Sequence, residues 1–492
     1  VKMDLRQRIG LILGVFIFAT LMLVPVPENM NPLAMRAAAV SLLMAVFWVT
    51  EAISIFATSF IPIALFPLLG VLDAKQIASS YGHHIVLLIL GAFFVAKAIE
   101  SNNLHKRIAL TTIRAVGTSR SKIMLSFMIA TGILSMWTSN NSTTLMMLPI
   151  GMAILYRENE MGADISKFAP ALMLCIAYSA SIGGTGTLVG TPPNLLFVST
   201  IEEIFPNAPL MLFTDWLKIG IPFVIVFLPV AWVYLIKYFD ISGNLKGSDD
   251  IIEKEDKDLG PMSEGEKKVA IIILFYALGF IFRNSWSTFL GVNHFVKDST
   301  VAFIASTFLF LIPSGQKNDK GEEKKLLNWE DAKEIPWGIG IMIGGGLAIA
   351  TSFKSSGLIS WVAGSIDLTG VPILIIVFSV VTLMVFLTEI NSNTASTAIF
   401  LPLLAGLSKA GGFHPYLVMI PATIAASCAF MLPSGTGPNA SVLASGHLTI
   451  PQMTKVGFGL NLLVIFFIVV LLYFITLPLF GITLELPLWV LE

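Results

Sequence analysis

The sequence predicts an all-α polytopic membrane protein, with eleven transmembrane helices and two re-entrant helical hairpins in an inverted repeat. Three observations predict it. Of 492 residues, 55% are hydrophobic and 12% charged, whereas soluble chains carry roughly 25% charged residues. Many apolar runs approach the ~20 residues a spanning helix needs. A polar phrase also occurs twice within apolar sequence: Ser139-Asn140-Asn141-Ser142-Thr143, closed by Leu148-Pro149, and Ser392-Asn393-Thr394-Ala395-Ser396, closed by Leu401-Pro402. A second pair follows downstream, Gly190-Thr191-Pro192-Pro193-Asn194 and Gly435-Thr436-Gly437-Pro438-Asn439. Small hydroxyl and amide residues at bilayer depth are costly unless they bind something, and their duplication in both halves is the signature of a transporter with its site between internal repeats.

Full spans are expected near 9–26, 34–52, 54–71, 84–100, 168–204, 216–239, 266–283, 299–313, 336–351, 415–446 and 456–480. The first, Ile9 to Val26, is too long for a signal-peptide core and lacks a small-residue cleavage site, so it reads as a retained span. The fifth and tenth are broken by the Gly-Thr-Pro-Pro and Gly-Thr-Gly-Pro phrases. Stretches 122–157 and 371–408 are interrupted by the Asn-rich phrases. A hairpin with the phrase at its tip, buried in protein, satisfies the backbone where a lipid-facing helix would not. Segments 103–118 and 352–368 occupy matching places and read as helices lying at opposite membrane faces. Linkers 241–264 and 314–335, the latter with Lys317, Lys320, Lys324 and Lys325 among acids, read as solvated loops.

Lys and Arg placement orients the chain. With the N-terminus cytoplasmic, Lys2, Arg6, Arg8, the cluster Lys106, Arg107, Arg114, Arg120 and Lys122, and both charged linkers share the cytoplasmic side. That side then holds most of the 30 basic residues, and Glu492 lies outside. Without the first span, the remainder divides into two sets of five spans plus one hairpin. Five is odd, so the second set enters from the other side, and the two tips can meet near the midplane.

At each tip one half-helix ends in free carbonyls and another begins with free N–H groups. Carbonyl ends favour a small cation and N–H ends an anion, while Asn side chains serve both. No basic residue falls within either tip phrase or break. The anion would be held by neutral donors, helix ends and co-bound cations, which suits symport.

The paired Ser-Asn tips, the Gly-Thr-Pro-Pro-Asn phrase and the segment Trp48-Val49-Thr50-Glu51 resemble the divalent anion–sodium symporter family, the INDY-type di- and tricarboxylate transporters, over nearly the whole chain. The resemblance implies a homodimer in the cell (inner or plasma) membrane. Each protomer would divide into a scaffold and a mobile transport domain, working as an elevator driven by several Na+ ions. Residues 1–121 and 265–370, including loop 314–335, would form the scaffold. Residues 122–240 and 371–492 would form the transport domain, with 241–264 the linker between the halves. The resemblance places one sodium site at Ser135, Ser139, Asn140 and Gly190, and another at Thr388, Asn391, Asn393 and Gly435. It places substrate at Ser139, Asn140, Asn141, Ser392, Asn393 and Thr394, with Thr436 and Gly437 close by. Asn141 stands where the family usually has Thr, and Gly437 where the second break often has Pro. Both border the substrate.

The implied function is sodium-coupled import of succinate-, malate- or fumarate-like dicarboxylates, with citrate or sulfate as the alternative anion. Na+ is the coupling ion and no other cofactor is implied. The net charge of -1 indicates no nucleic-acid partner. An intramembrane hydrolase would need a base, and Ser139 has no His within its half-span. An anion channel remains a different-class alternative. Among other residues, Glu389 reads either as a proton carrier or as a paired acid, and Glu51 as a cap or ion pair. His83-His84 read as an interface anchor lacking further metal ligands. Cys175 and Cys428 read as packed small hydrophobes, and Gly344-Gly345-Gly346 as a close helix contact.

Overall fold

The computed structural model describes residues 3–117, 119–245, 257, 259–317, 321, 323–368 and 370–491, apart from the side chains at 113 and 116. The expectations for Lys2, Lys320, Glu492 and residues 246–256 and 258 of the first linker lie outside them.

Helix α1 (Leu5–Leu23) begins at a capping box in which the Asp4 carboxylate accepts from the Gln7 N–H. It packs on α2 (Pro32–Thr50), which is capped by Asn31. Where a full span is expected at 54–71, two pieces appear, α3 (Ile55–Thr58) and α4 (Ile61–Leu68). The Ser59-Phe60 step and the Pro62 that follows interrupt the helix. At ~1.5 Å per residue, Ile55–Leu68 reaches about 21 Å, short of the ~30 Å hydrocarbon core.

Helices α5 (Ala74–Tyr81), α6 (His84–Ser101) and α7 (Leu104–Val116) follow. Then come α8 (Arg120–Ser135), α9 (Asn140–Glu160), α10 (Phe168–Gly184), α11 (Pro192–Ile204) and α12 (Phe213–Phe239). In the second half α13 (Glu264–Ile281) bends by 77° into α14 (Arg283–Phe289). The expected eighth span is the short α15 (Asp298–Leu311).

Loop 314–335 is more ordered than a solvated linker. Strands β1 (Pro313–Lys317) and β2 (Glu323–Lys325) pair antiparallel. The Ser314 hydroxyl donates to the Lys324 carbonyl at 2.8 Å, and Leu326 and Leu327 are buried. The mixed charges masked this apolar anchor. A short α16 (Trp329–Lys333) precedes α17 (Trp337–Ser356). Residues 352–356 therefore extend α17, and the separate helix there is α18 (Leu358–Ser365), beginning after Gly357 in the left-handed conformation (φ +79°).

The chain continues as α19 (Ile373–Ile390), α20 (Asn393–Gly411), α21 (Tyr416–Ala426), α22 (Gly437–Leu443) and α23 (Ile450–Leu471). Among the described residues, seven helices are long and apolar enough to cross a bilayer, or eight if the bent α13–α14 pair is one span. The fold is helical throughout, apart from the small hairpin and two isolated bridges among the described residues. One continuous apolar core runs from α2 to α23 and encloses the tips and breaks.

Candidate binding site at the paired tips and breaks

Four chain interruptions build the site. Helix α8 stops at Ser135, and Met136 to Ser139 turn the chain into α9, where the Ser142 N–H donates to the N-cap Ser139 hydroxyl at 3.2 Å. Helix α19 stops at Ile390, and the turn into α20 is Asn391-Ser392, with the Ser392 N–H donating to Asn391 Oδ1 at 2.9 Å. The other interruptions lie between α10 and α11 and between α21 and α22. Their freed carbonyls need donors, and the asparagine that ends each downstream phrase provides them. Asn194 Nδ2 donates to the carbonyls of Thr187 (2.7 Å) and Gly184 (3.3 Å). Asn439 Nδ2 donates to those of Leu432 (3.0 Å) and Ala429 (3.1 Å). Sequence reasoning missed this role, although both asparagines stood in the quoted phrases.

Each tip meets its break in the same way. The Ser135 hydroxyl lies 2.8 Å from Asn140 Oδ1 and 2.7 Å from the Ala180 carbonyl. The Thr388 hydroxyl donates to the Ala426 carbonyl at 2.7 Å. The Asn393 NH2 turns toward Thr388 Oγ1 (2.6 Å), the Ala426 carbonyl (3.0 Å) and the Gly435 carbonyl (3.2 Å), which frees Oδ1. Gly190 and Gly435 are the close-approach points. A Cβ on Gly190 would lie 2.4 Å from the Gly184 carbonyl oxygen and 3.0 Å from that of Ser135; one on Gly435 would lie 3.2 Å from the Thr388 carbonyl oxygen. The result is two matched cradles of backbone carbonyls, each with one hydroxyl and one Asn carboxamide.

Between them lies a cavity of about 640 Å³. Ser139, Asn140, Asn141 and Gly190 line it from the first half, and Asn391, Ser392, Asn393, Thr394, Gly435, Thr436 and Gly437 from the second. Ser135 and Thr388 are fully buried and not among the lining residues. Asn141 and Gly437 lie against each other. A Cβ on Gly437 would lie 2.8 Å from Asn141 Oδ1, and the Ser441 hydroxyl donates to that oxygen at 3.2 Å.

Sequence reasoning found no basic residue in the tips or breaks, yet Arg6 of α1 lines this cavity and donates to the Val49 carbonyl. Only the fold brings α1 there, so no local signal could have found it. Glu51 also lines the cavity and caps α2 in the left-handed conformation; no ion pair to it is present among the described residues. The Glu334 carboxylate on the lining pairs with Lys97 at 2.7 Å.

Glu389 is not paired with a basic group among its hydrogen-bond partners. Its carboxylate accepts from the backbone N–H groups of Phe430 (2.7 Å), Met431 (3.0 and 3.1 Å) and Leu432 (2.9 Å), and from Asn461 Nδ2 at 2.7 Å. It thereby holds the second break, and none of its recorded partners is basic. His83 and His84 do gain a third metal-type neighbour: Glu202 Oε2 lies 2.7 Å from His84 Nε2 and 3.9 Å from His83 Nε2. Cys175 and Cys428 are buried free thiols in the core.

The N-termini of α9 and α20 face the cavity, and their free N–H groups suit an anion. The last carbonyls of α8 and α19 lie beside them and suit a cation. The site can therefore hold cations and an anion side by side without a guanidinium clamp.

The family profile described as the sodium:sulfate symporter transmembrane region matches residues 5–482. The chain is 42% identical to the sodium-dependent dicarboxylate transporter SdcS of Staphylococcus saprophyticus, across 99% of this chain and 94% of that one. It is also 42% identical to the protein of the same name from Staphylococcus aureus strain MRSA252, across 98% and 94%. Among solved structures, it is similar in fold to the YdaH transporter of Alcanivorax borkumensis (TM-score 0.56, 12% identity, 97% of both chains). It is also similar to MtrF of Neisseria gonorrhoeae, described as illuminating a class of antimetabolite efflux pumps (TM-score 0.55, 11% identity, 95% of this chain and 94% of that one).

Proposed function

The chain belongs to the sodium:sulfate symporter family, the divalent anion–sodium symporters, and from that premise we propose that it couples Na+ entry to import of a C4-dicarboxylate such as succinate across the plasma membrane. The dicarboxylate assignment is carried over from the names of its relatives. The observation that carries the reading at the level of residues is the pair of matched cradles on one cavity.

One Na+ binds at Ser135, Ser139, Asn140 and Gly190, and another at Thr388, Asn391, Asn393 and Gly435. The dianion lies between them, against the Ser-Asn-Asn and Ser-Asn-Thr tips, with Thr436 and Gly437 beside it. The cations supply the positive field that the neutral tips and breaks lack, so anion binding depends on sodium. Three or more Na+ per dianion would move net positive charge inward. A potential of 100 mV then contributes about 2.3 kcal/mol per net charge.

Mechanically, the chain forms an inverted repeat of eleven membrane segments, the third in two short pieces (α3 and α4), with two re-entrant hairpins, α8–α9 and α19–α20. The hairpins move with 122–240 and 371–492 as one elevator body against a homodimeric scaffold of 1–121 and 265–370. The basic N-terminal end of α1 faces the cytoplasm and the end of the chain faces outward. The cavity then opens inward, because Arg6, Glu51 and Glu334 lie at its cytoplasmic side.

The test is uptake of radiolabelled succinate, citrate and sulfate into proteoliposomes with and without a sodium gradient. Sodium-dependent succinate uptake that exceeds citrate and sulfate uptake is expected. Uptake unchanged when choline replaces sodium would overturn the coupling. Steady sodium-independent current would favour a channel.

A further inference from the structure

The geometry points to a binding site for a zinc-class divalent metal ion at His83, His84 and Glu202. Two imidazoles and one carboxylate are a donor set suited to Zn2+. Their ligand atoms lie within 4.8 Å of one another. Tetrahedral coordination with bonds of ~2.0–2.2 Å needs ligands nearer ~3.3 Å apart, so the widest pair must close by up to about 1.5 Å while the His84–Glu202 pair, at 2.7 Å, opens slightly. His83 and Glu202 have room to do so, because both border a cleft of about 240 Å³. His84 Nδ1 is buried with no hydrogen-bond partner, so one ring nitrogen is left over for a ligand or a second-shell water.

The surrounding charges decide which metal fits. Lys297 lines the same cleft, and Arg283 pairs with Asp298 at 2.6 Å in the adjoining one. The neighbourhood is not net acidic, so Mg2+ and Ca2+, which are held by oxygen ligands and charge, are disfavoured. A metal bound mainly through neutral imidazole nitrogen is not.

The ligands lie on separate elements. His83 and His84 start α6, and Glu202 ends α11. Next to it, Lys354 of α17 donates to the Glu203 carbonyl at 2.7 Å. In the proposed division α6 and α17 belong to the scaffold and α11 to the moving body. A bound metal would therefore staple the two and stop transport. This braking effect rests on the proposed function, whereas the metal site does not.

The experiment is calorimetric titration of tag-free protein with ZnCl2, and separately with MgCl2 and CaCl2, on wild type and the variants His83→Ala, His84→Ala and Glu202→Gln. Each variant is first checked for unchanged size-exclusion elution and for succinate uptake in zinc-free buffer. One Zn2+ per chain is expected, with no Mg2+ or Ca2+ heat, and each variant should weaken zinc binding at least about tenfold. No zinc binding, or binding that the three variants leave unchanged, would overturn the site and leave a His–Glu ion pair only. In proteoliposomes, external Zn2+ should inhibit wild-type uptake reversibly with chelator and spare His84→Ala. Zinc bound at the site without inhibition would uphold the site and overturn the staple.

Discussion

The two tips agree up to Ser135 and Thr388 and diverge one residue later. In the first half that residue is Met136, whose carbonyl accepts from the Thr187 hydroxyl at 2.5 Å. In the second it is Glu389, whose carbonyl accepts from the Ser434 hydroxyl at 3.1 Å and whose carboxylate gathers three backbone N–H groups and the Asn461 amide. Both breaks open with the same tight turns, Thr185 N–H to Ile182 and Gly186 N–H to Gly183 in the first, Ser427 N–H to Ile424 and Cys428 N–H to Ala425 in the second. The second break is held by a buried acid. The shared parts, a hydroxyl, an Asn carboxamide and carbonyls, are those a cation requires. The part that differs places a carboxylate beside the second cradle, where a Cβ on Gly435 would lie 3.2 Å from Glu389 Oε2. In the proposed function the repeat thus preserves its cation-type ligands, while the second cradle alone has a carboxyl group beside it.

That difference is most directly broken at Glu389. Glu389→Gln keeps the volume but turns one acceptor into a donor facing backbone N–H groups. Leaving a buried N–H unmatched costs about 1–3 kcal/mol. Uptake should fall at least about tenfold and the sodium requirement should rise, with Met136→Leu close to wild type as the matched control. Sodium titrations of initial uptake rate check both. Equal effects from the two substitutions would remove the asymmetry.

Asn140→Ala and Asn393→Ala test the shared parts. Each should reduce uptake to near background and raise the sodium needed for half-maximal rate, whereas Cys175→Ala and Cys428→Ala should not. Near-normal uptake by both Asn variants would take the tips out of the mechanism.

A smaller effect is expected where the halves touch across the cavity. Gly437→Pro alone would push ring atoms onto the Asn141 side chain, while Asn141→Thr shortens that side chain. The double variant should therefore recover what the single proline variant loses, a coupling of about 0.5–3 kcal/mol. The succinate-to-citrate ratio should change more than sodium dependence. Strict additivity, or an unchanged ratio in the double variant, would place selectivity elsewhere.

Polar phrases in apolar sequence were legible because hydrocarbon leaves few other reasons for them, and the helix ends at Ser135, Asn140, Ile390 and Asn393 fall around the quoted residues. Long-range pairings were not legible. Glu202 meets His84 across 118 positions of sequence, Arg6 reaches the cavity from α1, and Glu389 contacts a break some 40 residues on through N–H groups that carry no sequence identity. Helix length was also misread at 54–71, where the hydropathy is continuous but the interruption at Ser59-Phe60 and Pro62 leaves pieces shorter than a bilayer.

In the proposed mechanism both cradles carry coupling sodium around one shared anion. The most direct measurement counts ²²Na+ and [¹⁴C]succinate entering the same proteoliposomes, for wild type, Asn140→Ala and Asn393→Ala. At least two sodium ions per succinate are expected, with both fluxes falling together in either variant. Succinate entry that persists in a variant without sodium, or a sodium flux that ignores succinate, would contradict it.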